Sequence, residues 1–193
     1  MAKSYQRSLL IGLLTLAPLF GACDQADISG VTEVPTIAPA PRVKSVAIVS
    51  RVTHATSGTV VSEWLTNGKS ATLQIGKYRL DVPRGAVKKP TIFVMTVLTG
   101  EMIGVRLLAF DKDWNRVTEF GTPLQLTLPY DEADQAEIGN PGKLLFANVA
   151  SEIDTTILEL LNTQLDRDNQ TITGNLYHFS VWSLAKELSP AID

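Results

Sequence analysis

The chain has 193 residues, of which 45% are hydrophobic and 19% charged, and its formal net charge is −3. This length suits one domain with a core of its own. A mildly acidic chain has little electrostatic attraction to phosphate, so we expect neither nucleic acid nor a polybasic contact with anionic lipid. The single cysteine excludes an intramolecular disulfide, so stability must come from packing.

Residues 1–22 have the organisation of an export signal. Lys3 and Arg7 precede an apolar run over residues 9–20, and the small pair Gly21-Ala22 follows it. A dozen apolar residues are too few to span the ~30 Å hydrocarbon core of a bilayer. Removal of this segment takes away the charges of Lys3 and Arg7, which changes the formal charge from −3 to −5.

Residues 19–23, Leu-Phe-Gly-Ala-Cys, resemble the bacterial lipobox, in which the cysteine becomes the lipid-modified first residue of the mature chain. Ordinary cleavage needs small side chains at the third and first positions before the cut. A cut before Cys23 puts Phe20 at the third position, and a cut after Ala26 puts Asp24 there. The resemblance implies palmitate on Cys23 and anchoring in the cell membrane or outer membrane, with the domain in the periplasm or extracellular space.

Two other interpretations of this segment stay open. One is a signal peptide followed by an incidental free thiol, and the other is an uncleaved anchor. Asp24 resembles the inner-membrane retention signal of enteric lipoproteins, a rule that does not hold in every lineage.

Residues 23–42 are expected to be a flexible tether that carries the lipid. Pro35, Pro39 and Pro41 lie there among Ala, Thr and Val, without helical or alternating periodicity. A proline-rich segment extends by ~3.1 Å per residue, so it can hold a domain several tens of Å from a bilayer. The alternative is an edge strand, which three prolines disfavour. The domain is expected over residues 43–188, with a tail at 189–193.

The body of the chain alternates apolar and polar residues at period two, which predicts antiparallel strands with one buried face. Gly76-Lys77 predicts a type II′ hairpin, and Asn67-Gly68 indicates a second hairpin or a looser turn. Residues 131–138 are expected to form one or two helical turns. Further strands are predicted at 92–98, 105–110, 124–128, 144–149 and 156–161.

Residues 81–87, Asp-Val-Pro-Arg-Gly-Ala-Val, resemble the Pro-x-Gly-Ala-aliphatic signature of ZU5 domains. Pro83 lacks an N–H and ends ladder pairing, and Gly85 allows backbone conformations that other residues resist. The likeness continues through residues 120–126 and 175–180 and covers roughly residues 70–185. It implies an antiparallel β-sandwich that acts as a binding or structural module.

The triplet His178-Phe179-Ser180 matches one at which some eukaryotic ZU5 proteins cleave themselves. The resemblance implies that Ser180 Oγ attacks the Phe179 carbonyl while His178 takes the hydroxyl proton. The alternative is structural and we favour it. On one unbroken strand, His178 and Ser180 share a face with apolar neighbours and Phe179 lies on the other face. The members of the first face are then Ile172, Leu176, His178, Ser180, Trp182 and Leu184.

Other candidate sites have simpler interpretations. Residues 111–115 begin like a calcium loop, but Arg116 and Thr122 stand where an EF-hand needs Gly and Glu. Turn formation accounts for that loop, and also for the incomplete set Asp166, Asp168 and Gln170. We therefore expect no metal and no cofactor.

The remaining aromatic and imidazole side chains are also assigned structural roles. His54 is expected on the surface or in a loop. Trp64, Trp114 and Trp182 are expected in the core rather than in a sugar or peptide groove.

The sequence thus predicts a membrane-tethered lipoprotein with a non-enzymatic binding or envelope-structural domain. Its partner would be an envelope protein or a polysaccharide. The first alternative is a domain that cleaves itself between Phe179 and Ser180, and the second is a secreted hydrolase with an unrecognised site.

Overall fold

The computed structural model describes residues 45–55 and 60–188. The predicted signal peptide, the lipid site at Cys23, the tether and the tail lie outside the described residues. In chain order the described strands are β1 (Val46–Ile48), β2 (Ser50–Ala55), β3 (Val60–Leu65), β4 (Ala71–Ile75), β5 (Tyr78–Val82), β6 (Thr91–Val97), β7 (Gly100–Met102), β8 (Gly104–Asp111), β9 (Glu119–Pro129), β10 (Leu144–Val149), β11 (Ile157–Asn162), β12 (Gln164–Asp166), β13 (Thr171–His178) and β14 (Val181–Glu187).

The strands form three antiparallel sheets, which confirms the predicted all-β class. The largest sheet has seven strands, six of them in the order β11-β10-β14-β8-β6-β3, with β1 also paired to β14. The second has the order β12-β13-β9-β5-β4, and the third pairs β2 with β7. β8 and β1 share one side of β14, because β8 pairs with its first residues and β1 with its last.

The two larger sheets contribute to one hydrophobic core. Burial alternates along β6, where Phe93 and Met95 are fully buried, and also along β9, where Leu124 and Leu126 are. Phe93 of the seven-stranded sheet contacts Phe120 of the five-stranded sheet, with 5.9 Å between ring centroids. The inward-facing positions of both sheets therefore form the core that the period-two pattern predicts.

A second apolar cluster includes residues of β10 and β14 whose side chains point away from that core. Leu98 and Met102 pack there with Ala147, Val149 and Ala185. The segment around β7 thus covers part of the outer face of the seven-stranded sheet.

Arg51 of β2 links the two-stranded sheet to β5 and to the segment that follows β9. Its guanidinium donates to Glu132 Oε2 (2.6 Å), to the Tyr78 hydroxyl (2.8 Å) and to the carbonyls of Leu98 (3.2 Å) and Gly100 (3.1 Å). The Tyr78 hydroxyl in turn donates to Glu132 Oε2 at 2.7 Å. Burial raises the pKa of Tyr78, and its hydrogen bond to Glu132 adds to the rise.

The local signals around the β4–β5 hairpin are confirmed. Ile75 pairs with Tyr78, which leaves Gly76-Lys77 as a two-residue loop. Gly76 has a positive φ of 56° and Lys77 does not, the pattern of a type II′ turn. β5 ends at Val82, directly before Pro83, and Gly85 has a φ of 83°.

Two other local predictions can be compared with the structure. Of the two forms expected for Asn67-Gly68, the looser turn is the one observed: Lys69 N–H donates to Thr66 O (3.2 Å), and the turn joins β3 to β4 in the other sheet, so it is not a hairpin. His54, expected on the surface or in a loop, lies in strand β2.

The described residues contain little helix. Helix α1 (Gln135–Ile138) is one turn, as the sequence allowed, and Asp134 accepts from the Ala136 N–H at its start. A 3-10 turn covers Pro141–Lys143. Over the part of the chain that the structure describes, no helix has the length and apolarity of a membrane span.

Candidate functional site

The triplet His178-Phe179-Ser180 forms the crossover between the two larger sheets. β13 ends at His178 in the five-stranded sheet, and β14 begins at Val181 in the seven-stranded sheet. The register of β13 against β9 shifts between Leu176 and His178. The predicted unbroken strand is therefore wrong, because the chain leaves one sheet and enters the other at this point.

Phe179 points into the core, contrary to the predicted alternation of faces. Its side chain is 5% exposed and packs against Phe120, at 4.6 Å between centroids, and Phe93, at 5.7 Å. Leu176 and Trp182 are also fully buried, although each lies three residues away. Because the chain bends at the crossover, Phe179 lies in the same core as Leu176 and Trp182, which strict alternation would place on the opposite face.

The two polar members of the triplet have separate partners. His178 Nε2 donates to Glu159 Oε2 at 2.7 Å, and Ser180 Oγ donates to Asn148 Oδ1 at 2.7 Å. The His178 side chain is 37% exposed, so it is only half-buried. Among the described residues, no hydrogen bond joins His178 to Ser180.

Sequence reasoning missed Asn148 and Glu159, which lie on the neighbouring strands β10 and β11 and pair with each other in register. Glu159 carries the single charge in Ile157–Asn162, an otherwise neutral strand. A lone charge in a largely apolar strand was the available signal, because a partly buried charged group needs a partner.

Trp182 lies beside this group. Its ring is 5.4 Å from that of His178, and its buried Nε1–H has no acceptor among the described residues. The indole therefore acts here through its packing, and it alone of the three tryptophans occupies the core. Trp64 and Trp114 are 52% and 70% exposed, so the prediction that they are core residues is wrong.

The aspartate loops are closed by turn hydrogen bonds, as predicted. Asp111 Oδ1 accepts from the backbone N–H of Asp113 and of Asn115, both at 2.9 Å. Hydrogen bonds from the side chain and backbone of Asn115 lower the pKa of Asp111, and the charge of Lys89 contributes. Within residues 45–55 and 60–188, no three His, Asp or Glu side chains are grouped as metal ligands.

The loop of Asp166 has the same construction. Its carboxylate accepts from the backbone N–H of Asn169 (3.0 Å) and from the amide of that residue (2.7 Å), and these two bonds lower the pKa of Asp166. Gln170 completes the turn with a φ of 54°.

A groove of about 430 Å³ opens at the end of the sheets where β6 begins and β8 ends. Its walls include Lys88 and Lys89 on one side, and Val117 and Glu119 on the other. Two cations, Lys88 and Lys89, and two carboxylates, Asp111 and Glu119, therefore line the groove.

Comparison of the chain with models of protein families, with characterised proteins and with solved structures gave no match.

Proposed function

We propose that this chain is a bacterial lipoprotein, anchored through lipid on Cys23, whose ZU5-like sandwich is a non-enzymatic binding or structural module of the cell envelope. One observation carries the non-enzymatic part of the proposal. Each side chain of the triplet His178-Phe179-Ser180 has a partner that fastens the crossover between the sheets. His178 and Ser180, the candidate base and nucleophile, thus have structural roles in this proposal.

Other observations support the sandwich and its likeness to ZU5 domains. Two antiparallel sheets share one core, which is the packing that a sandwich requires. Pro83 and Gly85, the residues that carry the resemblance, lie where the chain leaves β5.

The lipid anchor rests on residues 19–23 and is tested by metabolic labelling. In a bacterial host, the parent chain should incorporate labelled palmitate and Cys23→Ser should not. Ala26→Ser, a matched change three residues further on, should be labelled like the parent. Absence of label from the parent, or label that persists in Cys23→Ser, contradicts the anchor.

The binding role is tested in the native envelope. Crosslinking of the tagged chain followed by mass spectrometry should yield the same envelope protein or polysaccharide repeatedly. A tagged lipoprotein of unrelated fold should not yield it. Crosslinks identical to those of the unrelated control contradict a specific module.

Self-cleavage is the second candidate, and the contact between Glu159 and His178 favours it. A carboxylate that accepts from Nε2 holds the imidazole in one orientation, as a general base requires. Ser180 Oγ would attack the Phe179 carbonyl carbon while its proton goes to His178. The Phe179–Ser180 C–N bond then breaks, the freed amine of Ser180 takes that proton, and water hydrolyses the resulting ester.

Intact mass and a denaturing gel separate these two candidates. We expect the purified parent to be one chain, identical in migration to Ser180→Ala. Two fragments that meet between Phe179 and Ser180 in the parent, absent from Ser180→Ala, would establish cleavage instead.

A further inference from the structure

Three loops lie together at one end of the two sheets. Leu65, the last residue of β3, pairs with Thr91, the first of β6, and Thr91 pairs with Asp111, the last of β8. Ala71 of β4 pairs with Val82 of β5 at the same end. The loops 66–70, 83–90 and 112–118 extend from these termini, and we call them the basic end.

The basic end has an excess of positive charge. Within it, the one acidic side chain, Asp113, is bound by Lys112 at 2.8 Å. The flanking Asp111 carboxylate is occupied by the turn of its own loop, and Glu119 lines the groove. The basic residues of the three loops are Lys69, Arg84, Lys88, Lys89, Lys112 and Arg116.

The opposite end of the sheets is acidic. β9 runs from the basic end to Pro129, and the segment 130–143 that follows carries four acidic residues and one lysine. The formal net charge of −3 for the whole chain therefore conceals the difference in charge between these three loops and the segment 130–143.

Trp64 adjoins the basic end and Trp114 lies within it. Trp64, Ile92 and Phe110 lie side by side on the outer face of the seven-stranded sheet, because they are register partners across β3, β6 and β8. The ring of Trp114 lies 6.0 Å from that of Phe110 and extends this row. Trp114 projects from its loop with a φ of 63°.

We propose that the basic end docks on a bilayer surface of anionic phospholipid. Indoles favour the headgroup region, where the ring is apolar and the N–H meets water. Lysine and arginine side chains next to them match the negative charge of such a surface. Because the two exposed indoles lie on an open face and a loop rather than in a cleft, a planar partner reaches both.

This inference rests on the proposed envelope location. It differs from the expectation, drawn from the net charge, that the chain makes no contact with anionic lipid. It adds a reversible contact made by the folded domain to the covalent anchor at Cys23. Two such signals give firmer attachment than one lipid chain alone.

The test uses the exported chain, residues 23–193, with Cys23→Ser so that no lipid is attached. It is mixed with vesicles of phosphatidylcholine alone, or with about one third phosphatidylglycerol, and bound protein is measured by sedimentation. We expect binding to the anionic vesicles, weakening steeply with added salt, and a blue shift of tryptophan emission. Equal binding to both kinds of vesicle, or to neither, overturns the proposal.

Paired variants assign the contact to the basic end. Lys88→Gln with Lys89→Gln should weaken binding about 25-fold, at roughly fivefold for each cation removed from the surface. Arg167→Gln, at the far end in the turn before β13, should change it less than twofold. Equal losses in the two variants overturn the assignment.

Trp114→Ala should reduce the blue shift, because only Trp64 then remains to enter the headgroup region, and Tyr177→Ala, 61% exposed on the other sheet, should leave the shift unchanged. Each variant is used only if its Tm equals that of the parent, and Trp64→Ala replaces Trp114→Ala otherwise. Binding to an anionic polysaccharide but to no vesicle also overturns the proposal. Palmitate labelling reports on Cys23 independently, so failure of the anchor and failure of this contact are distinguishable.

Discussion

The ring of Phe179 meets the ring of Phe93 edge-on, with 5.7 Å between their centroids and 82° between their planes. Phe93 belongs to the seven-stranded sheet, and Phe179 lies on the link from the five-stranded sheet. We predict that Phe179→Ala lowers the free energy of unfolding by about 3–5 kcal/mol, because it leaves a cavity between the sheets. Urea denaturation measures this, and Tyr177→Ala, an exposed neighbour, should cost under about 1 kcal/mol.

Arg51→Ala should destabilise the fold by about 3 kcal/mol. It removes a buried guanidinium and leaves the Tyr78 hydroxyl and two backbone carbonyls without their donor. The matched control is Arg79→Ala, which breaks an exposed pair with Asp81 and should cost about 0–1 kcal/mol. Equal losses in urea denaturation would show that the network around Arg51 adds nothing.

Gly104→Ala should be among the most damaging single-methyl changes. A Cβ at Gly104 would overlap the backbone carbonyl of Trp182, whereas at Gly121 the nearest atom is Gly85 O at 3.7 Å. We expect a loss of about 1–3 kcal/mol or more for Gly104→Ala, from overpacking against rigid backbone, and a much smaller change for Gly121→Ala. Thermal melts of the two variants measure the difference, and equal Tm values would contradict the close approach of β8 and β14.

Asp111 should make the stability of the fold depend on pH in the acidic range. Hydrogen bonds from Asn115 and Asp113, with the charge of Lys89, lower the pKa of Asp111 in the folded state. Its contribution is therefore complete above the unfolded pKa of about 3.9 and is lost as pH falls through the lower folded value. Asp111→Asn should lower Tm at pH 7, and the gap to the parent should narrow toward pH 2. A gap of constant size would contradict this assignment.

Strands in regular pairing could be predicted from the sequence. Residues 144–149 form β10 with the predicted bounds, and Gly76-Lys77 forms the predicted turn. These features depend on alternation and turn chemistry within a few residues, which the local sequence contains.

The crossover could not be predicted in the same way. Period-two reasoning assumes that a strand stays in one sheet, and the chain changes sheets between His178 and Val181. The partners Asn148 and Glu159 come from strands that only the tertiary fold brings to this point. The exposure of Trp64 likewise depends on which face of its strand the second sheet covers.

The position of β14 sets a condition on how the fold is completed. This last described strand lies inside the seven-stranded sheet, bonded to β10 on one side and to β8 and β1 on the other. Val46 therefore finds its partner, Glu187, only after nearly the whole domain has been made. Such distant pairing slows folding, so this part of the seven-stranded sheet can close only after residue 187 has been synthesised.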